Sequence, residues 1–242
     1  MTTFEIVLLT GLIVLIGHLI KGFSGFASAL FAIPLLALFL DIRFVVPVFL
    51  LFDLIGGAIM TIQNRRFIQW RTTFVLLAGL AIGTVIGTYC LVSFGTKTLR
   101  RVFGAVVILF AIKILIWDND EVRKQISSLW APVSGFIGGC TGGMFGLNGP
   151  PLVLYLARRL TDRRIFRATL YGIFFIDACY RLILYSASGL IGMNVAKFAL
   201  YLTPFLLVGL FLGSRLHAKI NENIFRKAIA SILVVTGLLL VL

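Results

Sequence analysis

Asp53, Asp177 and Arg181 are the ionisable side chains that lie deepest inside long apolar runs of this sequence. Charge is costly at such depth, so carboxylates and guanidinium groups placed there are candidates for function by default. Asp177 and Arg181 stand four apart, on one face of a helix, where they can pair. Two readings of the pair stay open: it neutralises itself and fixes helix packing, or Arg181 reaches an anion while Asp53 or Asp177 exchanges a proton. A second group of polar residues sits at glycine-rich interruptions. Lys21, Ser24 and Gly25 lie in HLIKGFSG, and Thr141, Gly142, Gly143 and Asn148 in GGCTGGMFGLNGPP. Hydroxyls, a carboxamide, one ammonium and the freed amides of a helix start are the donors that a small oxyanion requires. His18, one turn before Lys21, is read as hydrogen-bonded structure.

The elements that must position these groups are unusual for a spanning helix. The run from Gly138 to Arg159, GGCTGGMFGLNGPPLVLYLARR, places glycines, an Asn and a Pro pair inside apolar sequence and predicts a helix broken along its length. Backbone that leaves the helical ladder inside a bilayer must be met by protein or by a water-lined cavity, which points to a site. Residues 22–35, GFSGFASALFAIPL, align with residues 139–152, GCTGGMFGLNGPPL, so that Gly22 falls on Gly139, Ser24 on Thr141, Gly25 on Gly142 and Pro34 on Pro151. Two interrupted segments at matching places in two halves are the sequence mark of a transporter binding site.

The match extends along the chain. Arg43 and Asp53 answer Arg167 and Asp177, Gly83 and Gly87 answer Gly209 and Gly213, and LRRVFGA from Leu99 answers FRKAIAS from Phe225. The GxxxG pairs are read as close helix packing. Four blocks in step predict an internal duplication.

Composition sets the environment. Of 242 residues 60% are hydrophobic and 13% charged, with a mean hydropathy of +1.07, which predicts an all-α polytopic membrane protein. Gly, Pro and charge clusters divide it into about ten segments near 4–20, 24–40, 44–62, 72–94, 98–117, 129–141, 145–160, 166–187, 195–217 and 224–242. The first, second, sixth and seventh are short, so each pair is either two full spans or a re-entrant hairpin that dips to the midplane. The expected organisation is a first membrane repeat over 1–117, a cytoplasmic linker over 118–128 and a second repeat over 129–242. Five segments per half make the repeats inverted.

The net charge of +13 fits loops held on the cytoplasmic side and not a nucleic-acid surface. Arg65, Arg66, Arg71, Arg123, Lys124, Arg158, Arg159, Arg163, Arg164, Arg167, Arg215, Lys219, Arg226 and Lys227 fall on one side. Only Arg43, Lys97, Arg100, Arg101 and Lys197 fall on the other. Both termini are then extracytoplasmic, and the apolar start, which carries Glu5 and no basic flank, reads as a first span and not a cleaved signal. Cys90, Cys140 and Cys179 are too scattered for a disulfide framework or metal site. No P-loop, GxSxG elbow or HExxH is present, so no cofactor, metal or catalytic residue is expected.

The paired GFSGFASALFAIPLL and GGCTGGMFGLNGPPLVLYL, each opening half of a small polytopic chain, resemble the TauE/SafE sulfite-exporter family of membrane transporters. The resemblance covers essentially the whole chain. It implies a multi-pass carrier of the bacterial inner membrane for small sulfur-containing or carboxylate anions such as sulfite, thiosulfate or sulfonates. The combined reading is a secondary transporter working by alternating access, with Lys21, Ser24, Gly25, Thr141, Gly142, Gly143, Asn148 and Arg181 at the anion and Asp53 and Asp177 as proton-coupling candidates. Its partners are then a small anionic substrate and membrane lipid, with a homo-oligomer left open and no nucleic acid. An anion channel of the same fold is the alternative, and an intramembrane enzyme or assembly partner is a third.

Overall fold

The computed structural model describes residues 3–24, 27–116, 126–215 and 222–242. Among them are ten α-helices: α1 Thr3–Ser24, α2 Ser28–Leu36, α3 Ile42–Asn64, α4 Trp70–Ser93, α5 Thr96–Ile116, α6 Trp130–Phe145, α7 Gly149–Arg159, α8 Arg163–Ala187, α9 Met193–Arg215 and α10 Glu222–Val241, with a short 3-10 turn at Arg65–Phe67. Helices α1, α3, α4, α8 and α9 supply five stretches long and apolar enough to cross a membrane. Gly25 and the Ser24 side chain lie outside the described residues, as do Arg123, Lys124, Lys219 and most of the expected linker.

Local chemistry sets the helix ends. The Asp162 carboxylate accepts from the backbone N–H of Arg164 at 2.7 Å and of Ile165 at 3.0 Å, satisfying donors that the first turn of α8 leaves open. Asp41 does the same for α3 through the Arg43 N–H, at 2.7 Å. The break in the second glycine-rich run falls later than the residues suggested. Gly139, Gly142 and Gly143 are helical within α6, and the chain leaves the helix only at Gly146, in the left-handed region at φ 72°. There the Gly146 N–H returns to Gly142 O at 2.8 Å and the Leu147 N–H to Thr141 O at 3.2 Å. Pro150 and Pro151 then open α7, in the turn where a missing N–H removes no helical hydrogen bond.

The chain divides into two compact units that alternate along it. The first holds α1, α2, the start of α3, α5, α9 and α10; the second holds α3 from Phe49 onward, α4, α6, α7 and α8. In the first unit α1 and α9 run parallel with their backbones in contact. Gly209 faces the carbonyl of Leu15, Gly213 that of Leu19, and Gly22 that of Leu210. Helices α5 and α10 meet in antiparallel fashion where Gly104 lies against Gly237 and Gly237 against Ile108.

The second unit has a longer seam of the same kind. Gly79, Gly83 and Gly87 of α4 meet the carbonyls of Pro132, Phe136 and Cys140, while Gly135, Gly139 and Gly143 of α6 meet those of Leu76, Leu80 and Thr84. Ascending order on both helices makes the pair parallel. A Cβ at these glycines would run into backbone and not into a side chain that could swing away, so the two helices can approach this closely only because six positions carry none. The glycines that looked like a break in the sequence therefore serve this seam. On its other face α4 presents Phe74, Ile82 and Tyr89, exposed by 63%, 62% and 71%. Large apolar side chains turned outward in this way suit a hydrocarbon surrounding and not water.

Candidate functional site

A charged cluster lies in the second unit, on the face of α8 that carries Asp177, Arg181 and Tyr185 at helical spacing. Asp177 is fully buried and Arg181 is 1% exposed. Arg181 Nε donates to Asp177 Oδ2 at 2.9 Å. Two neutral donors from other helices complete the carboxylate's surroundings: Asn148 Nδ2, just ahead of α7, donates to Oδ2 at 2.6 Å, and the Thr84 hydroxyl of α4 donates to Oδ1 at 3.2 Å. The same guanidinium's Nη2 stands 3.6 Å from Asp53 Oδ2 of α3, a carboxylate whose side chain is 15% exposed. The Tyr185 hydroxyl donates to the Gly143 carbonyl at 2.7 Å, tying α8 to the glycine seam of α6.

Burying ions costs several kcal/mol each unless their hydrogen-bonding capacity is filled. Asp177 meets that condition with three donors. Arg181 does not, because its Nη1 makes no hydrogen bond among the described residues. A dry guanidinium that spends Nε on one carboxylate, presents Nη2 to a second and has only the nearby Tyr185 hydroxyl to meet its remaining donors could turn those donors to an oxyanion.

The pairing of Asp177 with Arg181 is as the four-residue spacing suggests. The third member, Asp53, came from the sequence only as a separate candidate; its place beside the same guanidinium as Asp177 is tertiary. Its sequence signal was the expected duplication, under which Asp53 and Asp177 fall at matching positions. Thr84 and Tyr185 carried no signal, being ordinary residues of apolar spans.

The other expected residues are placed as follows. Asn148 is buried, and its amide is engaged with Asp177, so the anion beside the start of α7 is a carboxylate of the protein itself. Pro150 and Pro151 remove two amides from that helix start, which leaves fewer donors there than the break suggested. The Thr141 hydroxyl lies 2.8 Å from Leu147 O and 3.0 Å from Ile137 O, donating within the turn that ends α6. Gly142 and Gly143 lie within α6, where Gly143 faces α4.

In the first unit, Lys21 is buried in the last turn of α1, with His18 one turn earlier, where Nδ1 donates to Val14 O at 2.8 Å. Ser28, which opens α2 after the first break, is buried, and its hydroxyl makes no hydrogen bond among the described residues. It is a polar group at the break that the residue pattern did not single out. Among the described residues no three His, Cys, Asp or Glu side chains converge as a metal site requires.

A sequence model for the family described as Sulfite exporter TauE/SafE matches residues 9–240. The chain belongs to the TauE/SafE sulfite exporter family. The family is one of transporters and not of enzymes. Among curated proteins the chain is similar to "Probable inner membrane transporter protein TsaS" of Comamonas testosteroni, at 25% identity over 176 residues, 72% of this chain and 73% of that one. It is also similar to "Probable sulfite/organosulfonate exporter TauE" of Cupriavidus necator, at 23% identity over 180 residues, 73% of this chain and 70% of that one. No solved structure matches.

Proposed function

We propose that this family member is a secondary active transporter that carries a small sulfur-containing or carboxylate anion, of the sulfite, thiosulfate or sulfonate class, across the bacterial inner membrane by alternating access. The observation that carries the reading to a residue is Arg181, a buried guanidinium with an open Nη1 inside a chain whose relatives are named for anion export. The inverted repeat belongs to the same proposal. Under the duplication α1 corresponds to α6 and α9 to α4; α1 packs in parallel with α9, and α6 with α4, each along a glycine seam within one unit. In the second unit the proposed anion residues are Arg181, Thr141, Gly142, Gly143 and Asn148; in the first they are Lys21, Ser24 and Gly25.

Proteoliposomes containing the full chain test this. Labelled sulfite or methanesulfonate should enter by saturable counterflow against the same unlabelled anion. Lys21→Met and Arg181→Met should each weaken binding by about tenfold or more, equivalent to roughly 1.4 kcal/mol, while Lys97→Met, at an exposed position in the first turn of α5, binds as the parent does. Absence of flux for both anions refutes the proposal. Steady conductance without counterflow replaces it with a channel.

A further inference from the structure

We propose that the end of the second unit formed by the 3-10 turn Arg65–Phe67 and the start of α8 binds the headgroup of an anionic phospholipid, whose acyl chains lie along α4. The site shares no residue with the Arg181 cluster and does not depend on the transport reading.

Two stretches far apart in the chain are fastened together at this end. The Gln69 N–H donates to the Thr169 hydroxyl of α8 at 3.1 Å, and Ile68 packs on Gly172. The Arg164 guanidinium lies over the Phe67 ring, 3.9 Å from its centroid. Docking of the turn on α8 therefore gathers Arg65, Arg66 and Arg71 from one stretch with Arg163 and Arg164 from the other, and all five are exposed.

Like charges gathered in this way repel one another, and the neighbouring sequence offers little to answer them. Within residues 64–71 and 159–167, Asp162 is the one acidic residue. Its Oδ1 accepts from two backbone amides in the first turn of α8. Arg167, a turn further along α8, is engaged with the Tyr171 hydroxyl at 3.1 Å. A phosphate is the partner that exposed guanidinium groups recognise best, because its oxygens match their paired donors.

The apolar residues beside the arginines decide which phosphate. Trp70 opens α4 directly after the turn and stacks on Phe74, with ring centroids 5.9 Å apart. The two side chains are 45% and 63% exposed, and Ile82 and Tyr89 continue the outward-facing apolar surface of α4. A tryptophan placed where arginines give way to outward apolar side chains marks the membrane interface. The arginines then stand at the depth of lipid phosphates, and each favours an acidic lipid by about fivefold in affinity. A phospholipid uses both the charged and the apolar part of this surface, whereas inorganic phosphate uses only the charged part.

The test titrates the full chain, stripped of lipid in a neutral detergent, with phosphatidylglycerol, phosphatidylcholine or inorganic phosphate. Native mass spectrometry counts bound lipid, and thermal unfolding reads the stabilisation that binding confers. Phosphatidylglycerol should bind saturably and raise the apparent Tm, and phosphatidylcholine at the same concentration should do neither. The double change Arg65→Gln with Arg66→Gln should weaken phosphatidylglycerol binding by about tenfold or more, and Arg163→Gln alone by about fivefold. Lys97→Gln with Lys197→Gln, which removes two exposed charges of the first unit, should bind as the wild type does. Equal binding of the two lipids by the wild type overturns the proposal, and this result needs no variant to fold. A loss in the lysine variant as large as in the arginine pair also overturns it, since general attraction between a basic chain and an acidic lipid then suffices. Inorganic phosphate that stabilises equally and displaces the lipid would show an anion site without a lipid component. Every readout here is lipid binding, so failure leaves the anion-transport reading standing, and loss of sulfite flux leaves this one standing.

Discussion

Replacing Arg181 with Met leaves the Asp177 carboxylate fully buried with two neutral donors and no cation, and this is the sharpest perturbation the cluster permits. Breaking a buried pair from one side costs about 3–5 kcal/mol, because the partner charge stays dry and uncompensated. Adding Asp177→Leu removes that charge and fills the volume with a similar-sized apolar side chain. What remains is the lost acceptor of Asn148, worth about 1–3 kcal/mol for an unsatisfied buried donor. Thr84 adds less, since a hydroxyl can turn to a backbone carbonyl of its own helix, as Thr73 and Thr203 do here. Asp53 is less deeply buried than Asp177 and has a further interaction besides Arg181, so its charge is less stranded. The double variant should therefore be more stable than Arg181→Met by about 2 kcal/mol, or about 4–8 °C in apparent Tm for a chain of this length. A third change, Asn148→Leu, should recover part of the rest. Detergent-purified variants followed by intrinsic fluorescence on heating give the order directly. A double variant that melts at or below the single one would show that the Asp177 charge is not what the loss of Arg181 strands.

Glycine seams and topology give two further expectations. Gly83→Ala places a Cβ on the Phe136 carbonyl of a neighbouring backbone and should destabilise by about 1–3 kcal/mol even after the helix-propensity gain. Gly57→Ala meets Phe175 Cβ at 3.5 Å, an ordinary contact, and should be neutral or stabilising by up to about 1 kcal/mol; equal melting of the two variants would refute the seam argument. Single cysteines at positions 2 and 163 should label from the extracytoplasmic and cytoplasmic faces respectively, and labelling of position 2 only from the cytoplasm would overturn the orientation read from the loop charges.

Much of the helical plan was legible because apolar length and charged punctuation are local signals. The short helices α2, α6 and α7 were anticipated from Gly and Pro, yet the second break was placed several residues early. Glycine both interrupts helices and lets them touch, and only the neighbour's backbone decides between the two; Leu80 and Thr84 of α4, far away in sequence, make Gly139 and Gly143 helical packing positions. The same limit governs the cluster. Asp177 and Arg181 are one helical turn apart and can be read together, whereas Asn148 was marked as a buried donor without any indication that its acceptor would be a carboxylate of α8. The nearness of Asp53 to Arg181 depends on how α3 packs on α8, which no spacing within the chain encodes.

The interleaving of the two units has a consequence for biosynthesis. Helix α1 leaves the ribosome early, but the surface that its Gly22 packs against belongs to α9, near Leu210. At about 5–20 residues per second, roughly ten to forty seconds separate the two. In that interval the nascent first unit holds a helix with a small-residue face cut for a partner not yet made, while the second unit, built from a nearly continuous middle stretch, can close first. On this timing the second unit can close before the first, the reverse of the order in which their opening helices are made.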